Sequence, residues 1–272
     1  MRLTILLIVL ALSLYLDPIF NRTAYSVITD NHLTRTRPQH SQTAKWSLSQ
    51  HAITLENKRL RYSIAGMYPY LKGNSDKARQ FNNAVTQTIL RQYREILHPN
   101  LGKLRERIAS MPDHQFIDEA QFEYEVLSEN ESLISIRFRG TVYSHPAVHD
   151  IAQYFTLTYD KIRSRPLFLK ALFVPKRNFY RRLVVLSARE FSKQGMNPYD
   201  YDGRLGSIVY RFLIDYLRRY EQWNISPEGI VLSFDQCTFP DCAHGAVSVT
   251  ISLRDLQNIL RAGVVRKFRN IS

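Results

Sequence analysis

The chain has 272 residues, of which 44% are hydrophobic and 12% are aromatic, with a mean hydropathy of -0.28. These values are typical of a folded protein with a substantial core and exclude a disordered chain. Much of the net charge of +13 comes from residues 160–219, which hold fourteen Lys or Arg and five Asp or Glu. A chain this basic predicts an anionic partner, such as lipid headgroups, acidic envelope polymers, acidic proteins or nucleic acid.

The N-terminus has the pattern of an export signal. Arg2 precedes an almost unbroken apolar run, Leu3–Leu16, which ends at Asp17 and Pro18. This run is shorter than the roughly twenty residues of a comfortable membrane span but suits the hydrophobic region of a signal peptide. Because the small residues of a cleavage site are missing, we predict an uncleaved signal anchor over residues 1–20. A cleaved signal peptide and a buried N-terminal element are the alternatives.

A polar stretch over residues 21–45 predicts a tether between the membrane and a folded domain. We therefore expect an extracytoplasmic protein on the periplasmic side of the cytoplasmic membrane, or a secreted one if the signal is cleaved. Export argues against nucleic acid as a partner, and we expect none.

The first folded segment, residues 46–165, is predicted to contain strands, helices and a meander. Ser75 or Asp76 is a suitable N-cap for an amphipathic helix that ends before His98-Pro99. The stretch Tyr68–Gly73, which contains a Pro and a Gly, is predicted to close the preceding strand region. Other predicted elements are strands over 46–55 and 60–64, a helix over 101–110, and antiparallel strands over 122–126, 133–143 and 153–159.

The second segment, residues 166–272, alternates helices with a return to strands. Gly263 is predicted as the C-cap of the last helix. Because strands and helices do not alternate strictly, the pattern predicts an α+β fold of antiparallel sheet segments with interleaved helices. The predicted elements are helices over 167–173, 178–193, 205–220 and 252–260, and strands over 230–234 and 246–251.

The stretch Glu221–Leu260 resembles the C-terminal segment of the RsiV-like family, which contains the domain of unknown function DUF3298. The resemblance rests on Pro227-Glu228-Gly229-Ile230 before a strand, Phe234-Asp235-Gln236 after it, and an eight-residue loop that ends in Gly245. The resemblance extends over about 200 residues and makes 166–272 the DUF3298-like segment.

Residues 46–165 resemble the PdaC-type N-terminal segment found in RsiV and in certain deacetylases. Ser63–Ile89 contains an extended piece ending in Tyr-Pro and a helix with a central Phe81-Asn82 pair. Ser144-His145-Pro146 is similar to the family's Gly-Ala-His-Pro loop, although Tyr143 replaces the glycine expected before it.

The resemblance implies an extracytoplasmic binding or sensing module. Related domains occur on anti-sigma factors that meet lysozyme, or ahead of a separate peptidoglycan deacetylase domain. Because only Met1 and Arg2 precede the apolar run and the chain ends at Ser272, we expect the module alone. The resemblance therefore predicts a non-enzymatic module that recognises cell-wall glycan or a wall-acting protein such as lysozyme.

Two cysteines, Cys237 and Cys242, lie close together in the sequence. In an oxidising compartment this spacing predicts a disulfide, with free thiols or a metal site as alternatives. The RsiV-like family carries aromatic residues at these positions, so the resemblance implies a disulfide that clamps the same loop.

His145-x-x-x-His149-Asp150 has the spacing of metal ligands, which makes an envelope hydrolase the alternative function. Pro146 makes a helix unfavourable there, and no third ligand is evident, so we expect no metal and no cofactor. The remaining candidates are exposed-loop aromatics, a histidine in the cysteine loop and arginines of the basic helix. Together the candidate binding residues are Ser144, His145, Pro146, His149, Tyr199, Tyr201, Phe239, His244, Arg181 and Arg182.

Overall fold

The computed structural model describes residues 46–110, 116–175, 178–196, 198, 206–238 and 244–269. These residues form a mixed α+β fold, which confirms the predicted class. The predicted signal anchor and tether lie outside the described residues and stay predictions. Among the helices that the structure does describe, none combines the length and the apolar character needed to cross a membrane.

The first half of the chain builds a six-stranded sheet with the order β1-β2-β3-β4-β5-β6. Three helices connect β2 to β3, and the remaining connections between its strands are turns. The elements are β1 (Leu48–Asn57), β2 (Tyr62–Leu71), α1 (Asp76–Gln92), α2 (Arg94–Leu97), α3 (Leu101–Ser110), β3 (Asp118–Glu129), β4 (Leu133–Ser144), β5 (Ile151–Asp160) and β6 (Arg165–Pro166).

One strand pair departs from the antiparallel prediction. β2 and β3 run parallel, from Tyr62 opposite Asp118 to Gly66 opposite Phe122. A parallel pair needs a long crossover, and the three helices between these strands supply it. The meander β3-β4-β5 is antiparallel as predicted.

β2 ends at Leu71, within the stretch predicted to close this region, but Pro69 does not break the strand, since it lies within β2 opposite Gln50. The pairing of β2 with β3 stops at Gly66, so beyond that residue β2 is bonded only to β1. A proline, which has no backbone N–H, is tolerated where one side of a strand is not part of the ladder.

Helix α1 begins where the sequence predicts, since the Ser75 side chain accepts a hydrogen bond from the backbone N–H of Ala78 at 3.2 Å. The Phe81-Asn82 pair connects this helix to the sheet. Phe81 is fully buried, while the Asn82 amide pairs with both backbone groups of Leu71, at 2.8 and 3.0 Å. The pair therefore fixes α1 against the end of β2.

The second half of the chain builds a three-stranded antiparallel sheet, β7-β8-β9, and its helices. The predicted C-cap at Gly263 is wrong, because Gly263 lies inside a further helix. Strand β7 was not predicted, since its four residues are too few to show an alternation. The elements are a 3-10 turn (Leu169–Leu172), α4 (Phe179–Lys193), α5 (Ser207–Tyr220), β7 (Trp223–Ser226), β8 (Gly229–Phe234), β9 (Val247–Ser252), α6 (Leu253–Leu256) and α7 (Ala262–Arg269).

Two hydrophobic clusters fill the protein, one between α1–α3 and the large sheet, the other between α4–α7 and the small sheet. A polar seam joins the sheets. The Asn224 amide donates to Ser135 Oγ and to the Ile136 carbonyl, each at 2.9 Å, and the Trp223 N–H donates to Thr156 Oγ1 at 3.1 Å. Because these partners are 67 to 89 residues apart, the seam fixes how the small sheet lies on β4 and β5.

Candidate functional site

The Ser144-His145-Pro146 turn joins β4 to β5, and an ion pair between Arg107 and Asp118 supports it. The Ser144 hydroxyl donates to Asp118 Oδ1 at 2.6 Å, and Arg107 makes a two-pronged pair with Asp118, at 2.7 and 3.2 Å. The Asp118 side chain is 5% exposed, so the pair lies largely out of water. Paired carboxylates and guanidinium groups of this geometry are strong positioning contacts.

The backbone of the turn is bonded to the same group of residues. Arg107 Nε donates to the His145 carbonyl at 2.8 Å, and the His145 N–H donates to the Ile117 carbonyl at 2.9 Å. The His145–Pro146 peptide bond is cis. Arg107 and Asp118 therefore set the path of the turn, which is a structural role for the Ser144 hydroxyl and the Asp118 carboxylate.

The outer part of the turn is open to solvent. Val148 is 97% exposed, His149 is exposed, and the His149 ring nitrogen Nδ1 lies 2.9 Å from the Asp150 carbonyl oxygen. His145 is half-buried and Pro146 is exposed. Across the described ranges, no group of three or more His, Cys, Asp or Glu side chains is placed to hold a metal ion.

A second polar cluster surrounds Asp235, which directly follows β8. Asp235 Oδ1 accepts from the Tyr154 N–H at 2.7 Å, and Oδ2 accepts from Gln222 at 3.2 Å. Tyr216 donates its hydroxyl proton to Gln222 at 2.6 Å and accepts the Asp235 N–H at 3.1 Å. Burial raises the pKa of the Asp235 carboxyl, and the hydrogen bonds that the carboxylate accepts from Tyr154 and Gln222 offset part of that rise. Burial also raises the pKa of the Tyr216 hydroxyl.

The next residue, Gln236, ties the start of the cysteine loop to β5. Its N–H donates to the Ala152 carbonyl at 2.9 Å, and the Ala152 N–H donates to the Gln236 side chain at 2.9 Å. Ala152 is the second residue of β5, and the His-Pro turn leads directly into that strand. The structure therefore brings the His-Pro turn and the start of the cysteine loop to the same end of β5. We call this region the β5 entry.

The cysteine loop is described only at its two ends. Cys237 is exposed and has a left-handed backbone conformation, with φ of 61°, and His244 is exposed. Cys242 and Phe239 lie outside the described residues, so the Cys237–Cys242 disulfide stays a prediction. Tyr199 and Tyr201, the aromatic candidates of the other loop, also lie outside them.

The basic helix α4 is on the surface and begins at the predicted N-cap, Asn178, whose side chain accepts from the Arg181 N–H at 3.2 Å. Arg181, Arg182 and Arg189 are all exposed. Lys193 is exposed and pairs with Glu190 at 2.7 Å. The helix therefore presents a positive surface on α4, separate from the residues of the β5 entry.

Sequence reasoning missed the supporting residues Arg107 and Asp118. Arg107 is one of several charged residues on a short helix, and Asp118 is the first residue of a strand, so neither stands out. Asp235 belongs to the Phe234-Asp235-Gln236 motif of the family resemblance, but its contacts are with β5, α5 and the segment before β7. Contacts of this kind join residues that are far apart in sequence and have no sequence pattern of their own.

The fold is similar to that of two solved proteins of the DUF3298 family. One is from Pseudomonas aeruginosa PAO1, with a TM-score of 0.53 and 12% identity over 82% of this chain and 97% of that protein. The other is from Bacteroides fragilis, with a TM-score of 0.53 and 14% identity over 84% of this chain and 99% of that protein. At this identity the likeness shows the fold, and the chain thus has a DUF3298-type fold.

No protein-family model matches the sequence. A search of curated proteins also gives no significant match. The structural likeness is therefore the comparison that supports the DUF3298 part of the predicted resemblance.

Proposed function

We propose that this chain is a non-enzymatic binding module of the cell envelope, built from a PdaC-type N-terminal segment and a DUF3298 segment as in RsiV-like proteins. In this proposal residues 1–20 anchor it, residues 21–45 tether it, and the domain works on the periplasmic side of the membrane. The ligand is cell-wall glycan or a wall-acting protein such as lysozyme. Support comes from the DUF3298-type fold and from the export pattern of the N-terminus.

One observation carries the proposal, namely that two loops far apart in sequence are joined at the β5 entry. The reciprocal hydrogen bonds between Gln236 and Ala152 hold them there. Ser144 and Asp118 are hydrogen-bonded to each other and so support the geometry of the His-Pro turn. Loops held on a rigid sheet, with exposed His149 and Val148 above, are typical of a recognition surface.

The proposal is tested by binding of the full chain to isolated cell wall and, separately, to lysozyme. Val148→Glu changes an exposed residue of the His-Pro turn, and we expect it to weaken binding about tenfold or more. Ile162→Glu is the matched control, because Ile162 is 64% exposed in the turn at the other end of β5. Equal binding by the two variants would contradict the assignment of the β5 entry.

The hydrolase alternative is tested on the same protein. In this alternative His145 and His149 are the reacting groups, and both lie in the His-Pro turn, where His145 is half-buried and His149 is exposed. Wall hydrolysis that disappears in both His145→Ala and His149→Ala would replace the binding proposal. Wall or lysozyme binding by the parent chain without any hydrolysis would support the binding proposal.

A further inference from the structure

Among the described residues, the outermost strand of the large sheet, β1, is paired on one edge and open on the other. All ten residues of β1 pair with β2. On the other edge of β1, no described residue forms a ladder. The opposite edge of the sheet ends differently, since β6 has only two residues and one of them is Pro166. A short strand with a proline is a poor template for another strand, whereas a ten-residue strand is a good one.

The sequence of β1 lacks the features that usually protect an edge strand. LSQHAITLEN contains one charged residue, Glu56, and no Lys, Arg or Pro. Natural proteins commonly use short strands, charges, prolines or bulges to prevent edge-to-edge pairing. The β1 ladder to β2 is also regular, without a register shift. These features indicate an edge that accepts a further strand.

We propose that β1 pairs antiparallel with β1 of a second copy of this chain, so that two large sheets become one. The pattern of β1 is complementary to itself. When Ile53 lies opposite Ile53 of the other copy, His51 lies opposite Leu55 and Gln50 lies opposite Glu56. Apolar residues then meet apolar or aromatic residues on one face, and the acidic residue meets an amide on the other.

This register also keeps each side chain on its own face of the sheet. Leu55 is buried, and Ile53 packs against the core of the large sheet, so both belong to the inner face. Residues directly opposite in an antiparallel pair lie on the same face, and Ile53, His51 and Leu55 meet that condition in this register. Because the β6 edge cannot continue the sheet, the pairing closes as a two-fold dimer and does not propagate.

Cysteine cross-linking of the full chain tests the register. In the proposed dimer, position 53 lies on the two-fold axis, so Ile53→Cys should give a covalent dimer under mild oxidation that a reductant reverses. In Thr54→Cys the two cysteines are offset along the strands, and we expect much less dimer. Ile162→Cys, at an exposed site outside β1, is the control. Equal cross-linking by the three variants, or none by Ile53→Cys, would overturn the register.

Solution mass tests the pairing itself. The full chain should sediment at twice its mass of 31.8 kDa. Successive backbone N–H groups of a strand point to opposite edges of that strand. Of the variants Ala52→Pro and Ile53→Pro, one therefore loses an N–H on the open edge, and the other loses a hydrogen bond to β2. The variant that keeps its circular dichroism spectrum and melting temperature should be a monomer. A monomeric parent chain, or a folded proline variant that remains dimeric, would overturn the proposal.

Discussion

The ammonium group of Lys161 lies 4.7 Å from the centre of the Trp46 indole, at the first described residue of the domain. Both residues bind one carboxylate oxygen of Glu129, the Trp46 N–H at 2.8 Å and Lys161 Nζ at 2.5 Å. The indole also packs edge-on against Phe81, with 5.0 Å between ring centroids. A buried ion pair thus fixes the point at which the proposed tether would join the folded domain.

Removing the ammonium should destabilise the domain strongly. The side chains of Lys161 and Glu129 are 4% and 10% exposed, so Lys161→Ala leaves a carboxylate in a poorly hydrated site. We expect the free energy of unfolding to fall by about 3 kcal/mol, measured by urea denaturation. Lys193→Ala, which breaks a pair whose lysine is 64% exposed, should change it by about 0.5 kcal/mol or less. Similar effects of the two variants would contradict this reading of the ion pair.

The ion pair beneath the His-Pro turn should behave in the same way. Asp118→Ala removes the carboxylate that pairs with Arg107, whose side chain is 27% exposed and keeps its hydrogen bonds to the His145 and Ile117 carbonyls, so we expect a loss of about 2 kcal/mol in unfolding free energy. Asp76→Ala removes the exposed partner of Arg79 and should cost about 0.5 kcal/mol or less. Wall binding by Asp118→Ala should also weaken, because the turn loses its support. A stable variant with unchanged binding would show that the pair does not position the turn.

The raised pKa of Asp235 predicts that the free energy of unfolding depends on pH. Its pKa is raised in the folded protein, mainly by burial, from an ordinary value of 3.8. The folded state therefore holds this proton more tightly than the unfolded state. The resulting stabilisation is fully present below pH 3.8 and is lost as the pH rises through the raised folded pKa.

The Asp235→Asn variant shows how much of this pH dependence comes from Asp235, since an amide does not titrate. Relative to the variant, the parent chain should lose stability as the pH rises from about 4 toward neutrality. The measurement is urea denaturation of both proteins across this range. If the difference in unfolding free energy between them stayed constant, Asp235 would have the same pKa in both states.

The basic surface of α4 predicts salt-dependent binding to an anionic polymer. Arg181→Glu combined with Arg189→Glu should weaken binding to isolated anionic cell-wall polymer, because both side chains are exposed. Lys58→Glu with Arg59→Glu makes the same change of charge in the β1–β2 turn and serves as the control. Binding by the parent chain should fall steeply with salt, since exposed charges are screened beyond about 10 Å at 0.1 M. Binding that does not change with salt concentration would show that this surface does not contact the polymer.

The predicted Cys237–Cys242 disulfide closes a loop of six residues. On the chain-entropy model, closing so short a loop stabilises the folded protein by about 2 kcal/mol, which is at the low end for disulfides. Protein purified from its own compartment should take up no alkylating reagent at either cysteine until it is reduced. Cys237→Ser with Cys242→Ser should lower the melting temperature slightly and weaken ligand binding more. Alkylation without reductant would show free thiols.

Periodic segments were predictable from the sequence. The N-cap at Ser75, helix α4 and the alternating strands β3 to β5 each follow from a local pattern of side chains, and the structure confirms them. A helical stripe or a strand alternation is a property of neighbouring residues. It can therefore be recognised without knowledge of the rest of the chain.

The errors occur where pairing decides the outcome. Pro69 can lie in a strand because the pairing of β2 with β3 ends at Gly66. β7 is a strand because it pairs with β8. The parallel β2–β3 pair depends on the crossover helices. β2 and β3 are far apart in the sequence, so local propensity gives no indication of their pairing, whereas β7 lies next to β8 and was missed because its four residues are too few to show an alternation.

The amino-acid sequence by itself determined the basic charge, the export pattern, the N-caps of α1 and α4, and the two loops that resemble a family. Only the tertiary structure decided that Gln236 is bonded to Ala152, which places these loops together at the β5 entry. It likewise decided that Arg107 and Asp118 support the His-Pro turn. The physical reason is that a hydrogen bond between distant residues depends on how the sheets pack, and that packing is a property of the whole chain.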